Sequence, residues 1–113
     1  MPQSLGVIAM NDNLHILIND SIKIGIANLP EHLADWTKPH LCNLKMVKLS
    51  KDPDGKEFSY YWLVTDNTGS GDSSYRVVYD EESKMFGLEC TLENGLEWYM
   101  GAYGTFVETI NSM

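Results

Sequence analysis

Nucleophilic or metal chemistry in this sequence would have to come from its three histidines and two cysteines. His32 and His40 are eight residues apart with Pro39 between them, which is not the spacing of a metal-binding helix. Cys42 follows His40 by two residues, but a cysteine nucleophile also needs a group that orients its base, and no such signature accompanies the pair. Cys42 and Cys90 lie among apolar residues, which is typical of buried, inert thiols. We therefore expect no catalytic residue and no metal site.

Carboxylates offer a second kind of chemistry, either cation binding or acid–base catalysis. The loop at residues 66–72 places oxygen-bearing side chains at alternate positions, but the glutamate at the twelfth position of a calcium loop is absent. Asp80, Glu81 and Glu82 lie in a predicted turn, without an apolar setting that would raise a carboxyl pKa for acid catalysis. The chain also lacks the glycine-rich motifs that hold nucleotides. These patterns predict no cofactor.

The charge of the chain is concentrated in its second half. The net charge is −8. Residues 1–64 carry seven acidic and six basic side chains, whereas residues 65–113 carry nine acidic side chains against only Arg76 and Lys84. A field of this sign repels nucleic acid and anionic membranes and attracts basic proteins. Such a charge also simply keeps a small domain soluble, so the charge alone does not choose between the two interpretations.

Length and composition indicate a single domain spanning residues 1–113. Hydrophobic residues make up 43% and charged residues 21% of the 113 residues, which is typical of a globular chain. Two cysteines are too few for a secreted disulfide scaffold. Residues 1–20 show no basic segment followed by a long apolar run. We therefore expect a cytoplasmic protein that does not enter a membrane.

The stretch from residue 42 to residue 101 predicts an α+β fold based on an antiparallel β-meander of about five strands. Apolar and polar residues alternate there in short runs, a period that places alternate side chains on opposite faces of a sheet. The runs are residues 42–50, 57–65, 73–79, 85–92 and 96–100. Turn residues separate them, and Asn94 followed by Gly95 is typical of a type I′ hairpin. One face of this sheet is apolar and needs a cover.

Helices can supply that cover. Apolar residues at positions 106, 107, 110 and 113 lie on one side of a short C-terminal helix that begins near Thr105. A second short helix is predicted at residues 30–37, because Pro30 suits a first helical turn and the residue before Pro39 avoids the helical region. Ahead of it, residues 14–18 and 22–26 are compatible with an N-terminal hairpin.

The meander predicts one acidic and aromatic surface as the candidate binding site. If Phe86, Leu88 and Cys90 face the core, the side chain of Glu89 points away from it. Tyrosine mixed with charge is typical of protein interfaces, although these residues could also be ordinary solvent-facing positions. The predicted partner-binding residues are Asp80, Glu81, Glu82, Glu89, Glu93, Glu97, Tyr99 and Tyr61, with Arg76 on an outer face beside them.

The last quarter of the chain resembles a known group of bacterial proteins. Residues 86–113 carry a strand, an Asn-Gly turn, a second strand, then YGTFVETI at residues 103–110 and a final methionine. This order is similar to small immunity proteins of contact-dependent growth inhibition and related polymorphic toxin systems. The resemblance implies a cytoplasmic, non-catalytic protein that blocks one cognate toxin domain, often a basic nuclease. Because that group diverges at its interfaces, no functional residue is carried over from it.

Two other functions are compatible with the sequence. One is a small-ligand-binding domain or enzyme, with a pocket between the sheet and the C-terminal helix lined by Trp62, Trp98 and Tyr103. The other is a self-assembling subunit that pairs through an exposed strand edge as a homodimer. A deep pocket with converging polar groups would favour the first, and a dimer that persists on dilution would favour the second.

Overall fold

The computed structural model describes residues 2–66 and 75–113, with side chains described from residue 13 onward. In this part of the chain an α+β arrangement of a five-stranded sheet and three helices confirms the predicted fold class. The elements are α1 (Pro2–Ala27), α2 (Glu31–His40), β1 (Leu41–Ser50), β2 (Phe58–Thr65), β3 (Arg76–Asp80), β4 (Met85–Thr91), β5 (Glu97–Gly104) and α3 (Phe106–Asn111). The loop considered above for calcium lies outside the described residues from position 67 onward, as does the start of the third predicted strand.

The N-terminal hairpin expected from the sequence is wrong, because α1 runs through both of its strands. Apolar residues recur at positions 14, 18, 22 and 26, a four-residue spacing that lines one helix face. Ile18 and Ile22 are buried on that face, whereas Ile24, which the strand alternation placed with Ile22, is 66% exposed. Burial therefore follows the helical period and not the two-residue period.

The second helix is longer than predicted. Helix α2 continues through Pro39 to His40, although the sequence suggested an end before the proline. Pro39 lies in the last turn and has no N–H, so the helix lacks one intrahelical hydrogen bond there. His40 closes this turn: its ring stacks on Trp36, and its Nδ1–H donates to the Trp36 carbonyl oxygen at 2.6 Å.

The five strands form the predicted antiparallel meander, in the order β1-β2-β3-β4-β5. The turn between β4 and β5 is not the predicted type I′, since that type needs positive φ at both central residues and only Gly95, at 89°, has it. The side-chain oxygen of Asn94 instead accepts from the Leu96 N–H at 3.0 Å, and Gly95 N–H donates to the Leu92 carbonyl at 2.9 Å.

The meander closes on itself. Strand β1 pairs with β5 in parallel at Ser50 and Trp98, which makes the sheet a closed barrel. Closure creates two apolar clusters. One lies inside the barrel and includes Leu49, Tyr61, Leu63 and Val78. The other lies between the outer face of the strands and the helices, and its buried members are Ile18, Ile22, Leu29, Ala34, Val64, Val77, Tyr79, Phe86, Leu88, Phe106 and Ile110.

The C-terminal helix covers the apolar outer face, as predicted. Thr105 is its N-cap and forms a capping box with Glu108, whose carboxylate accepts from the Thr105 N–H at 3.1 Å. Phe106 and Ile110 are 2% exposed. A Cβ added at Gly25 of α1 would lie 2.7 Å from the ring of Phe106. The glycine therefore allows α1 and α3 to approach closely over the sheet.

Candidate functional site

Closure of the barrel changes the environment of the predicted binding face. The sequence placed Tyr61, Glu89 and Tyr99 together on one face of the sheet, and the strand register does bring them together, since Glu89 lies opposite Tyr99. That face, however, is the inside of the barrel and not a solvent-exposed surface. Glu89 is 0% exposed and Tyr61 is 3% exposed. The prediction that these residues lie on an outer surface is therefore wrong.

Three charged residues form a network at one end of the barrel interior. The guanidinium of Arg76 donates to both oxygens of Glu89, with Nε–Oε1 at 3.2 Å and Nη2–Oε2 at 2.5 Å. The same Nη2 donates to Glu97 Oε2 at 2.6 Å. The Arg76 side chain is 12% exposed and that of Glu97 is 46% exposed. Glu89 thus neutralises a buried cation in its own chain, and it is not available to a partner.

Burial and ion pairing oppose each other in this network. Burial raises the pKa of Glu89 above its ordinary value, although the hydrogen bonds and charge of Arg76 act to lower it. For Arg76, burial acts to lower the pKa, but the hydrogen bonds and charge of Glu89 together with the charge of Glu97 leave it raised. The two hydrogen bonds from the Arg76 cation favour the carboxylate form of Glu89, against the effect of burial. The network therefore ties β3, β4 and β5 together inside the barrel.

Tyr61 and Tyr99 stack inside the barrel, with ring centroids 4.2 Å apart and planes 27° apart. Burial raises the pKa of Tyr99 well above its ordinary range, and the charge of Asp80 acts in the same direction. The Tyr99 hydroxyl is buried and has no hydrogen-bond partner among the described residues. A Cβ added at Gly87 would lie 2.7 Å from that hydroxyl. Glycine at position 87 therefore makes room for the ring.

A cleft opens beside this stack, where β5 leaves its single pairing with β1. Its volume is about 520 Å³. We call it the seam cleft. It is lined by the end of β1 and its turn, by Tyr61, by the β3–β4 turn and by the middle of β5. The lining residues are Lys51, Asp52, Pro53, Tyr61, Asp80, Glu82, Ser83, Trp98, Tyr99, Met100 and Gly101.

Two carboxylates of the seam cleft, those of Asp52 and Asp80, are held by their own turns. Asp52 accepts hydrogen bonds from the backbone N–H groups of Lys56 and Glu57, and the Glu57 contact measures 2.9 Å. These bonds lower the pKa of Asp52, so it stays ionised. Asp80 accepts from the Glu82 N–H at 3.0 Å and from the Ser83 hydroxyl at 3.0 Å. Both turns lie at the same end of the barrel because strands in a meander alternate in direction.

The predicted binding residues are therefore divided between two ends of the barrel and its interior. Asp80 and Glu82 line the seam cleft, and Glu81 lies beside them, accepting at 2.8 Å from the indole N–H of Trp62. Glu93 and Glu97 lie at the opposite end, in and after the β4–β5 turn. They do not form one continuous acidic patch. Sequence reasoning missed Lys51 and Asp52 and assigned Trp98 to a different pocket, because only closure brings the first turn next to β5.

The two cysteine thiols are free and only partly buried, whereas the sequence predicted full burial. Cys42 is held by weak contacts from its thiol to the carbonyl oxygens of Leu63 and Val64, at 3.8 Å and 3.6 Å. Burial raises the pKa of Cys42, and burial followed by the charge of Glu89 raises that of Cys90. Among the described residues, no group of three or more histidine, cysteine, aspartate or glutamate side chains is arranged to hold a metal ion.

A second depression lies outside the barrel, between α1, α3 and the β3–β4 hairpin. We call it the helix groove, and its volume is about 790 Å³. Its lining differs from the pocket predicted from the sequence. Trp62 and Tyr103 pack against the outer core, and Trp98 lines the seam cleft. The helix groove is lined by Leu17, Ser21, Ile24, Gly25, Asn28, Tyr79, Lys84, Met85, Phe86, Gly104, Thr105, Phe106, Val107 and Glu108.

None of the helices in the described part of the chain has the length and apolar character needed to cross a membrane. Comparisons of the chain with family models, curated proteins and solved structures find no match.

Proposed function

We propose that this chain is an immunity protein that binds and neutralises a basic toxin domain, such as a nuclease, and that the seam cleft receives a lysine or arginine of the toxin. The observation that carries the proposal is the composition of the cleft. The acidic residues Asp52, Asp80 and Glu82 line this cleft together with the aromatic residues Tyr61 and Trp98. A carboxylate rim with aromatic walls suits a cation on a long aliphatic stem.

The charge distribution supports a basic partner. Among the described residues that line the cleft, Lys51 is the one cation, against three carboxylates. The whole chain carries a net charge of −8, most of it after residue 64. A field of this kind speeds the encounter with a basic domain and repels nucleic acid and anionic membranes. A toxin that acts on nucleic acid presents a basic surface, which an acidic protein can cover.

The proposal assigns no catalysis to the chain. The cysteine thiols have raised pKa values, and the cleft carboxylates of Asp52 and Asp80 are bound in their own turns. Neutralisation of the toxin would then be stoichiometric. We propose that it takes place in the cytoplasm, where the toxin would act. The similarity of residues 86–113 to toxin immunity proteins points the same way.

The test begins with capture of partners from a lysate of the source cell, at low and at high salt. We expect one basic domain that is toxic when expressed alone, and that loses toxicity when this chain is present in equal amount. Binding should weaken at high salt, since exposed charges are screened. Inhibition that needs far less than one equivalent would contradict stoichiometric binding.

Charge reversal locates the site. The Glu82 side chain is exposed and forms no hydrogen bond or ion pair within the described residues, so Glu82→Lys should leave the fold intact. We expect about tenfold weaker toxin binding, or about 1.4 kcal/mol. Asp35→Lys on α2 is the matched control, since Asp35 is also exposed and the change in charge is the same. Equal binding by both variants would exclude the seam cleft as the contact.

A further inference from the structure

The helix groove has apolar side chains that the fold leaves uncovered. Leu17 and Ile24 of α1 are 56% and 66% exposed, and Met85 on the opposite wall is 44% exposed. Buried side chains of α1 point elsewhere, with Ile18 and Ile22 against the sheet. An uncovered apolar patch beside a concave surface is typical of an interaction site.

The spacing of the exposed apolar residues on α1 suits packing against a second copy of the same helix. Leu17 and Ile24 are seven residues apart on α1, so they lie two turns, or about 10.5 Å, apart on one face. Ser21, a small residue, lies between them. If a two-fold axis passes near Ser21, two copies of α1 run antiparallel, and each Leu17 packs against the Ile24 of the other copy. An isologous contact requires this kind of self-complementary surface.

Charge also favours a second copy. Among the described residues, the lining of the helix groove contains two charged side chains, Lys84 on the β3–β4 hairpin and Glu108 on α3. They are opposite in sign and lie on different elements of the same surface. In a two-fold contact over this groove, each copy presents both charges to the other copy. This face is nearly neutral, so two chains with a net charge of −8 can approach through it.

We propose that a second copy of this chain covers the helix groove, forming a homodimer through α1, α3 and the β3–β4 hairpin. This interface is separate from the seam cleft and does not depend on the toxin-binding proposal. It also differs from pairing through a strand edge. The edges of the sheet are β1 and β5, which pair with each other at Ser50 and Trp98, whereas the apolar surface of the groove lies on the helices and the β3–β4 hairpin.

Sedimentation equilibrium of the purified full chain tests the dimer over a range of concentrations. We expect a mass of two chains at concentrations above about 10 μM, the range of a weak but specific contact. Ile24→Glu should weaken the dimer by about 100-fold or more, because each dimer would bury two unpaired carboxylates in an apolar contact. A monomer at every concentration would overturn the proposal.

Ile16 provides the matched control on the same helix. It is 57% exposed and does not line the groove, so Ile16→Glu makes the same chemical change outside the interface. We expect Ile16→Glu to remain dimeric, and circular dichroism to show both variants folded. Lys84→Glu should weaken the dimer by about tenfold, since the altered contact occurs twice. Equal dissociation by Ile16→Glu and Ile24→Glu would refute the groove as the interface.

Discussion

Removal of Arg76 is the sharpest test of the barrel interior. Arg76→Met keeps the aliphatic length of the side chain and removes the cation that holds Glu89. Glu89 is 0% exposed, so the variant leaves a buried carboxylate without its partner. Such a loss costs about 3–5 kcal/mol of unfolding free energy. This is a large part of the 5–15 kcal/mol that small domains typically possess.

The control variants separate the effect of the buried Arg76–Glu89 ion pair from that of the exposed Arg76–Glu97 ion pair. Glu97 is 46% exposed on its side chain, so Glu97→Gln should cost only about 0–1 kcal/mol. The double variant Arg76→Met/Glu89→Leu removes both buried charges and should recover most of the lost stability. Urea unfolding at neutral pH, followed by fluorescence of the tryptophans, measures all three. An Arg76→Met variant as stable as Glu97→Gln would refute the argument.

The sign of the pH dependence follows from Glu89. Its pKa in the folded chain is raised above the ordinary value of a glutamate, chiefly by burial. Arg76 acts to lower this pKa, so the loss of Arg76 raises it further. Between the unfolded and the folded pKa, the folded chain binds a proton that the unfolded chain does not. Protonation of Glu89 therefore stabilises the folded chain. This stabilisation is complete below the unfolded pKa of Glu89 and is lost as the pH rises through its folded pKa. The deficit of Arg76→Met should therefore shrink when unfolding is repeated at about pH 5.

Two further predictions concern Tyr99 and its neighbour. Gly87→Ala should lower the unfolding free energy by about 1–3 kcal/mol, because the added Cβ would lie 2.3 Å from the Gly101 carbonyl oxygen. Gly95→Ala is the control, because no atom lies within 4 Å of a Cβ added there and the variant shows the cost of the positive φ alone. A larger loss of unfolding free energy in Gly95→Ala than in Gly87→Ala would contradict the packing argument. Tyr99→Phe should raise stability by roughly 1 kcal/mol, because it removes a buried hydroxyl without a partner. A lower urea midpoint for Tyr99→Phe would show that the hydroxyl is bonded, for example to water.

Local pattern in the sequence was enough for the strands and for the C-terminal helix. The two-residue period of β2 and β4 predicts which side chains share a face, and the outer cluster contains Val64, Phe86 and Leu88 as expected. Thr105 and the apolar residues that follow it predict α3, whose capping box involves only residues three apart. Signals of this kind are local, so a single sequence carries them.

The N-terminal region shows where local pattern fails. Ile22 and Ile26 are four residues apart, a spacing that satisfies both a two-residue and a helical period. Only the position of Ile24, exposed in the folded chain, separates the two, and exposure is not visible in the sequence. Helix α1 is selected because its four-residue stripe fits the outer face of the sheet, which is a tertiary contact.

The sequence by itself determined the acidic character of the second half, the alternation of the strands and the residues that share each face. Tertiary structure decided which face meets water. Pairing of Ser50 with Trp98, far apart in the chain, closes the sheet, and the face that carries Glu89 and Tyr99 becomes the inside of a barrel. The same closure places Asp52 beside the β3–β4 turn and forms the seam cleft. A period of two residues fixes which side chains point together, but only long-range pairing fixes what they point toward.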